Sequence, residues 1–397
     1  MIHFRLNPLI PSNPGSAFGS IFALMIFLII VLLFFLAYAL LIRFYFRNWV
    51  ALPEYDEKAA GEPELISVII PARNEEKNIR RLLEALRIQT YPAECIEMLL
   101  VDDFSTDATV AVAKSTGLRN LTILQPAADS VSSSKKKAIE TAVGAAKGTL
   151  IVSTDADCLP HKEWLKTLFS FYKKHNARFI AAPVRFMHDH SLLQIFQSID
   201  FLTLQGITGA SVAANFHTMC NGANLAYQKN AFVEAGGYAG IDHVATGDDM
   251  LLMYKIWKQH PQQVFYLKSK EAIVQTEPMP SWKDFLMQRR RWASKSLVYD
   301  DYRIIAVLFF VYLFNCLFVY MLVRAFDDPA YWLYVAGYWV LKTIIEAPFV
   351  RKVAAFFDEQ SILRLFFLFQ PLHILYTVSI GLISQLGKYE WKGRTTK

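Results

Sequence analysis

The sequence predicts an α/β domain, built on a mostly parallel sheet covered by helices, lying between transmembrane α-helices. Three observations lead there. Hydrophobic residues make up 54% and charged residues 19% of the 397 positions, more apolar and less charged than an average soluble chain. That apolar excess is concentrated at the two ends. Between them, short β-rich runs alternate with amphipathic stretches, the pattern of strand–helix–strand units. The chain carries no internal repeat.

The N-terminal segment, 1–50, contains an uncharged run from Phe18 to Ile42, and a bilayer core requires roughly 20 helical residues. Ala37-Tyr38-Ala39 resembles a signal-peptide cleavage site, but the apolar run before it is too long and continues past it, so a retained anchor is expected. Arg43 and Arg47 follow the run, which places its C-terminal side in the cytosol. Residues 51–64, with Pro53, Gly61 and Pro63 among charges, read as a linker.

The central domain, 65–300, has strands expected near Leu65–Pro71, Ile96–Val101, Leu121–Leu124, Leu150–Ser153 and Phe179–Pro183. Helical patterns intervene at Glu76–Gln89, Ala108–Lys114, Lys136–Lys147 and His161–His175. The domain closes on an amphipathic, interfacial helical stretch, Ser281–Leu297. The C-terminal region, 301–397, holds three more apolar runs: Ile304–Val323, Tyr331–Val350 and Ile362–Leu386. Lys342 and Glu346 in the second stand four apart and can pair on one face, which should look at protein rather than lipid. The third carries Arg364, Pro371 and His373. Four full spans would leave the basic tail (Lys388, Lys392, Arg394, Lys397) outside, against the positive-inside rule, unless the last run is re-entrant or interfacial.

The formal charge of +6 comes without a long Lys/Arg run or zinc-finger spacing, which argues against nucleic acid as a partner and for basic residues beside membrane lipids. The four cysteines, Cys95, Cys158, Cys220 and Cys316, form no CxxC and imply neither a disulfide framework nor a thiol metal site.

In open α/β sheets, ligands bind beyond the carboxyl ends of the strands. Three strands end there in polar or acidic clusters: Pro71-Ala72-Arg73-Asn74-Glu75-Glu76, Asp102-Asp103-Phe104-Ser105-Thr106-Asp107 and Asp155-Ala156-Asp157. Turns and helix caps account for Asn74, Ser105 and Asp107. Asp155-Ala156-Asp157 suits a hard divalent cation, Mg2+ or Mn2+, which takes one or two carboxylates plus substrate phosphate oxygens. No Walker lysine motif or GxGxxG occurs in the domain. Farther on, Thr246-Gly247-Asp248-Asp249 precedes the helical run Met250–Gln259. Thr246 or Gly247 can cap that helix, and an aspartate in its first turn can serve as a general base or simply stabilise the helix start. Gln288, Arg291 and Trp292 share one helix face, suited to diphosphate and a sugar ring or, on the blander reading, to lipid headgroups. His188-Asp189-His190 has no third metal partner and reads as a polar loop.

This set of motifs, over Leu65–Leu297, resembles the inverting family-2 glycosyltransferases of GT-A fold. It is similar in particular to the membrane branch that includes cellulose, chitin and hyaluronan synthases and ceramide glucosyltransferases. Lys135, Asn221-Gly222-Ala223-Asn224 and Gly236-Gly237-Tyr238 join the motifs above in that resemblance, although Lys136 or Lys137 could take the place of Lys135. The usual Thr-Glu-Asp reads Gly247-Asp248-Asp249 here. The resemblance implies a nucleotide-sugar donor, commonly a UDP-sugar, with Pro71, Arg73, Glu75, Asp103, Lys135 and Asp155 along it. Asp157, with Asp155, would hold the divalent cation. Asp249 would be the catalytic base, and Asp248, Gln288, Arg291 and Trp292 would meet diphosphate and acceptor. It further implies a multi-pass protein of the plasma or inner membrane with a cytosolic catalytic domain, acting on a lipid or a growing glycan. A polysaccharide synthase and a single-sugar lipid glycosyltransferase both fit, and outside the enzymes so does a degenerate, nucleotide-sugar-binding scaffold.

Overall fold

The computed structural model describes residues 14–57, 61–126, 134–241, 247–294, 301–384, 389–391 and 394–396. Ser132 and Ser133, Thr246 as a cap, Leu297 as a helix end and the tail lysines Lys388, Lys392 and Lys397 lie outside the described residues.

The chain opens on a long helix, α1 (Pro14–Ala51), that runs well past the apolar stretch. Arg43 and Arg47 do not end it, because arginine is a good helix former and because the helix has a buried face to keep. Phe35, Tyr38, Ile42, Tyr45 and Trp49 recur at spacings of three and four and are buried, while Leu32, Leu33, Leu36 and Leu40 on the other side are exposed.

The domain follows as β1 (Ile66–Ala72), α2 (Ile79–Arg87), β2 (Ile96–Asp102), α3 (Thr109–Ser115), β3 (Leu121–Leu124), α4 (Ser134–Ala145), β4 (Leu150–Ser153), β5 (Leu159–Pro160), α5 (Trp164–His175), β6 (Phe179–Ala181), β7 (Val184–Phe186), α6 (Leu192–Ala213), β8 (Leu225–Gln228), α7 (Lys229–Glu234), α8 (Asp248–Gln259), β9 (Val264–Tyr266), β10 (Val274–Thr276) and α9 (Trp282–Ala293). Seven strands form one sheet in the order β3-β2-β1-β4-β8-β6-β9. It is parallel except where β8 pairs antiparallel with β4 and β6. Because β8 runs backwards, its first residue, Leu225, pairs with the last of β4, Ser153. The preceding Asn221–Asn224 segment is thereby delivered to the carboxyl edge.

The strand expected to reach Pro183 stops at Ala181, and a second strand, β7, starts beyond it at Val184. β6 stays in the large sheet, while β7 joins β5 and β10 in a small one. Pro183 cannot donate to a ladder, and its carbonyl instead accepts from Val274 N and from Asn224 Nδ2 at 2.7 Å.

Alternate strand residues feed two cores, as the period of two requires. Ile66, Val68 and Ile70 pack with α2 and α5. Ile69, Leu99, Val101 and Ile151 pack with α4, and that core is continuous with the buried face of α1 and with the C-terminal helices. These are α10 (Tyr302–Asp327), α11 (Tyr331–Phe356) and α12 (Phe366–Ser384). Helix α6 is the hinge piece: Gly206 brings it against Val353 and Phe349 of α11, and Gly209 against Trp49 of α1.

Among the described residues, four helical stretches are long and apolar enough to cross a membrane: Met25–Ala51, Tyr302–Asp327, Tyr331–Phe356 and Gln360–Ser384. Their outer faces carry exposed Leu36, Phe309, Leu333 and Leu382. Inside, Lys342 Nζ lies 2.5 Å from Glu346 Oε1, the pairing expected from their spacing.

Candidate active site

The loops that leave β1 and β2 are tied to each other before they meet any ligand. Asn74 Oδ1 accepts from Thr106 N at 2.8 Å, and Ser105 Oγ accepts from Asn74 N at 2.9 Å. Asp107 accepts from Thr109 N and Glu76 N. These side chains do the turn work expected of them, and the rigid pair of loops leaves Arg73, Glu75 and Asp103 to face a cleft.

That cleft, about 290 Å³, is lined by Pro71, Arg73, Glu75, Asp103, Lys135, Asp155, Asp157, Asp248, Asp249, Gln288, Arg291 and Trp292 together. All twelve of these site candidates therefore lie on one cavity, although they come from six stretches of chain. Arg73 Nη1 donates to the Asp103 carbonyl at 2.7 Å and lies 3.9 Å from its carboxylate. Lys135 Nζ sits 2.8 Å from Asp155 Oδ1 and 3.9 Å from Asp248 Oδ2. Burial works against the Lys135 charge, but the Asp155 and Asp248 carboxylates outweigh it and hold the ammonium well above its usual range. Lys136 turns the other way, donating to the Ile241 carbonyl, so the lysine of the cleft is Lys135.

Gly247, at φ +85°, is the N-cap of α8, a backbone conformation that favours glycine. It swings Asp248 and Asp249 into the helix's first turn. Asp249 Oδ2 accepts from Gly222 N at 2.8 Å and Oδ1 from Met250 N at 2.9 Å. The antiparallel β8 is thus what supplies Asp249 with its partner. Asp157 Oδ1 is 3.6 Å from Cys158 Sγ. Burial first, and then the Asp157 and Asp155 carboxylates, push the Cys158 thiol well above its usual range, which keeps it an inert neutral group.

Seven carboxylates line the cleft (Glu75, Asp103, Asp155, Asp157, Asp248, Asp249 and Glu277) against three basic groups (Arg73, Lys135 and Arg291). Such an excess of hard oxygen donors fits a divalent cation whose coordination is completed by phosphate oxygens. Among the described residues, no group of three or more His, Cys, Asp and Glu forms a ready-made metal cage.

Sequence reasoning missed Thr276, Glu277 and Met279, which enter the cleft after β10, and the aromatic walls Phe186 and Phe201. β10 is a three-residue strand too short to carry a period, so only its position at the sheet edge marks them. His188 and His190 lie in a polar loop, where His188 Nε2 is 3.0 Å from Glu359 Oε2.

An open, mainly parallel sheet with an acidic cleft at its carboxyl edge defines an α/β protein. Residues 67–241 match the family described as Glycosyl transferase family 2. The chain is 28% identical over 190 residues to Glycosyltransferase AglE of Haloferax volcanii, covering 47% of this chain and 59% of that one. It is 25% identical over 260 residues to Probable glycosyltransferase YdaM of Bacillus subtilis, covering 62% and 60%. The chain thus spans about six-tenths of the length of these curated relatives. Mannosyltransferase PcManGT from Pyrobaculum calidifontis, solved with GDP-Man and Mn2+, shares the fold at TM-score 0.56 and 17% identity, over 90% of this chain and 97% of that one.

Proposed function

We propose that this protein is a membrane-embedded, divalent-cation-dependent inverting glycosyltransferase that moves one sugar from a nucleotide-sugar donor to a lipid acceptor. The observation that carries the reading is the meeting of Asp103, Asp155, Asp157 and Asp249 on one cleft. Pro71, Arg73, Glu75 and Asp103 suit the nucleoside. Asp157, with Asp155, would hold Mg2+ or Mn2+, which supplies charge stabilisation to the leaving diphosphate. That PcManGT was solved with GDP-Man and Mn2+ agrees with this donor and ion chemistry.

In the step itself, the acceptor hydroxyl oxygen bonds to the anomeric carbon as the bond from that carbon to the diphosphate oxygen breaks. Asp249 takes the hydroxyl proton, and the nucleoside diphosphate leaves with the bonding pair. A single in-line displacement inverts the anomeric centre. Lys135 and Arg291 face the negative charge that builds on the leaving group, while Asp248, Gln288 and Trp292 orient the acceptor.

A lipid acceptor is favoured over a growing polysaccharide by a second cavity of about 260 Å³. It lies between α1, α6, α10, α11 and α12, and Ile42, Leu204, Val311, Phe349 and Phe369 are among its mainly apolar walls. Arg43 and Arg47 near the end of α1 support a cytosolic domain beside the plasma or inner membrane.

The test is a panel of UDP- and GDP-sugars offered to purified membranes, with Mn2+, with Mg2+ and with EDTA, followed by mass analysis. The expected product is a lipid heavier by one sugar, formed only with the divalent ion. Polymer would select the synthase reading. Metal-dependent nucleotide binding without transfer would select the scaffold.

A further inference from the structure

Helix α9 turns Gln288, Arg291 and Trp292 to the cleft, and its other side is gripped by a charged cluster. Asp200 of α6 and Arg289 of α9 each have only 4% of their side chain exposed. Asp200 Oδ2 accepts from Arg289 Nε at 2.9 Å and from Nη2 at 2.6 Å. Asp200 Oδ1 accepts from Tyr376 Oη at 2.6 Å and lies 3.4 Å from His373 Nε2. Tyr376 and His373 both belong to α12, a candidate membrane span. The next residue of α6, Phe201, is in the cleft wall.

Arg289 then passes this grip forward. Its third nitrogen, Nη1, donates to Gln288 Oε1 at 2.8 Å. Its guanidinium lies 4.2 Å from the Trp292 ring and 4.7 Å from the Phe285 ring. An arginine only donates, so the amide end of Gln288 that meets it must be the oxygen, and the NH2 end is left to face other partners. A planar fork with five donors can hold a carboxylate, an amide and two rings at once, which a lysine cannot. A buried ion pair is a poor way merely to glue two helices, since apolar residues of similar size do that as well or better.

We propose that Asp200 is a positioning residue: through Arg289 it fixes Gln288 and Trp292 for the acceptor, and Tyr376 and His373 tie that geometry to membrane helix α12. This rests on the acceptor role given above to Gln288 and Trp292. It makes acceptor use, and not donor binding, depend on a contact with the membrane region.

Two measurements on the full-length protein in detergent test it. Hydrogen–deuterium exchange compares wild type with Tyr376→Phe and Asp200→Asn. Exchange across 282–293 should quicken in both, while peptides of β1, β2 and β4 keep wild-type protection. This readout needs no turnover, so it stands apart from whether the protein is a transferase. Kinetics then use the donor found active in the panel, with total membrane lipid extract of the expression host as acceptor probe. The apparent KM for the extract should rise about tenfold in Tyr376→Phe, the scale of one lost hydrogen bond to a charged group. The loss of kcat/KM for acceptor should reach about 100-fold in Asp200→Asn, as for a small misplacement of a positioning group. Donor KM should stay near wild type, and Arg289→Lys should not rescue. Unchanged exchange in α9, or donor and acceptor constants that shift together with a general loss of protection, would overturn the proposal.

Discussion

Lys135 and Lys342 each sit at the centre of a cluster that sets a lysine against carboxylate, and the two are finished differently. Around Lys342 the ring closes: its Nζ meets Glu346 Oε1 at 2.5 Å and Gln370 Oε1 at 2.9 Å, and Gln370 Nε2 returns to Glu346 Oε2 at 2.5 Å. Tyr38 completes it by donating to Glu346. The Lys342 side chain is 1% exposed. Around Lys135, 25% exposed, Asp155, Asp248 and Asp249 all act on one ammonium, in a cleft whose carboxylates outnumber its basic groups. A buried charge is tolerated when the protein itself satisfies it. The first cluster is satisfied internally and is architecture. The second has an excess of one sign and is complementary to something that binds.

The widest gap between the two should appear on removing one carboxylate from the cleft. Asp249→Asn keeps the shape and one acceptor oxygen while deleting the proposed base. Turnover should fall about 10²–10⁴-fold, the usual contribution of a general base, while titration with UDP or GDP in Mn2+ stays close to wild type. Normal turnover would retire the assignment of Asp249.

In the closed cluster, the same kind of change should appear in stability rather than in chemistry. Lys342→Met leaves Glu346 buried without its lysine counter-ion, at a cost of about 3–5 kcal/mol, read as a lowered Tm in detergent. The pair Lys342→Met with Glu346→Leu should recover a large part of that loss. A single variant as stable as wild type would mean that the ring is not closed in the way described.

The closed side also predicts a pH response. His217 is buried beside Tyr45 Oη at 3.2 Å and Ser211 Oγ at 3.1 Å. Burial pushes its pKa down to about 4 from 6.5, with Arg303 adding to the effect and Asp301 opposing it. Between these values the unfolded chain binds a proton that the folded chain does not. The stability contributed by neutral His217 is complete above pH 6.5 and is lost as pH falls towards 4, by roughly 3 kcal/mol. Thermal melts in detergent from pH 7 to 4 measure it, and a flat profile for this residue's contribution, judged against His217→Gln, would sink it.

How far the sequence reaches differs between the two clusters as well. The sheet was legible in runs such as Ile66–Ala72, because a strand buried on both faces is apolar throughout. Asp155-Ala156-Asp157 was legible because it ends such a run. The Lys342–Glu346 pair was legible from a spacing of four. Gln370 and Tyr38 were not, because their partnership joins three helices far apart in the chain and no local period records it. Gly222 was visible as part of a motif, but its hydrogen bond to Asp249 depends on β8 running antiparallel, which pairing alone decides. Glu277 and Asp200 carried no signal: one follows a strand of three residues, and the other interrupts an apolar helix whose partner charge is 89 positions away.

The smallest expected effect concerns the joint between the two regions and sharpens the contrast by its sign. A methyl group on Gly209 would stand 2.6 Å from Trp49 Cζ3 and 3.0 Å from Tyr266 Cε1. Trp49 is 1% exposed, and its ring is held by Phe356 and Tyr266, so it cannot simply turn aside. Gly209→Ala should therefore cost about 1–3 kcal/mol of overpacking, partly offset by alanine's better helix propensity of about 1 kcal/mol. Gly144, near the end of α4, has nothing within 4 Å of the corresponding position. Gly144→Ala should stabilise, by up to about 1 kcal/mol, because only the propensity term remains. Paired melts of the two variants give the answer. If both move Tm the same way, the close approach of α6 to α1 is not what joins the domain to its long apolar helices.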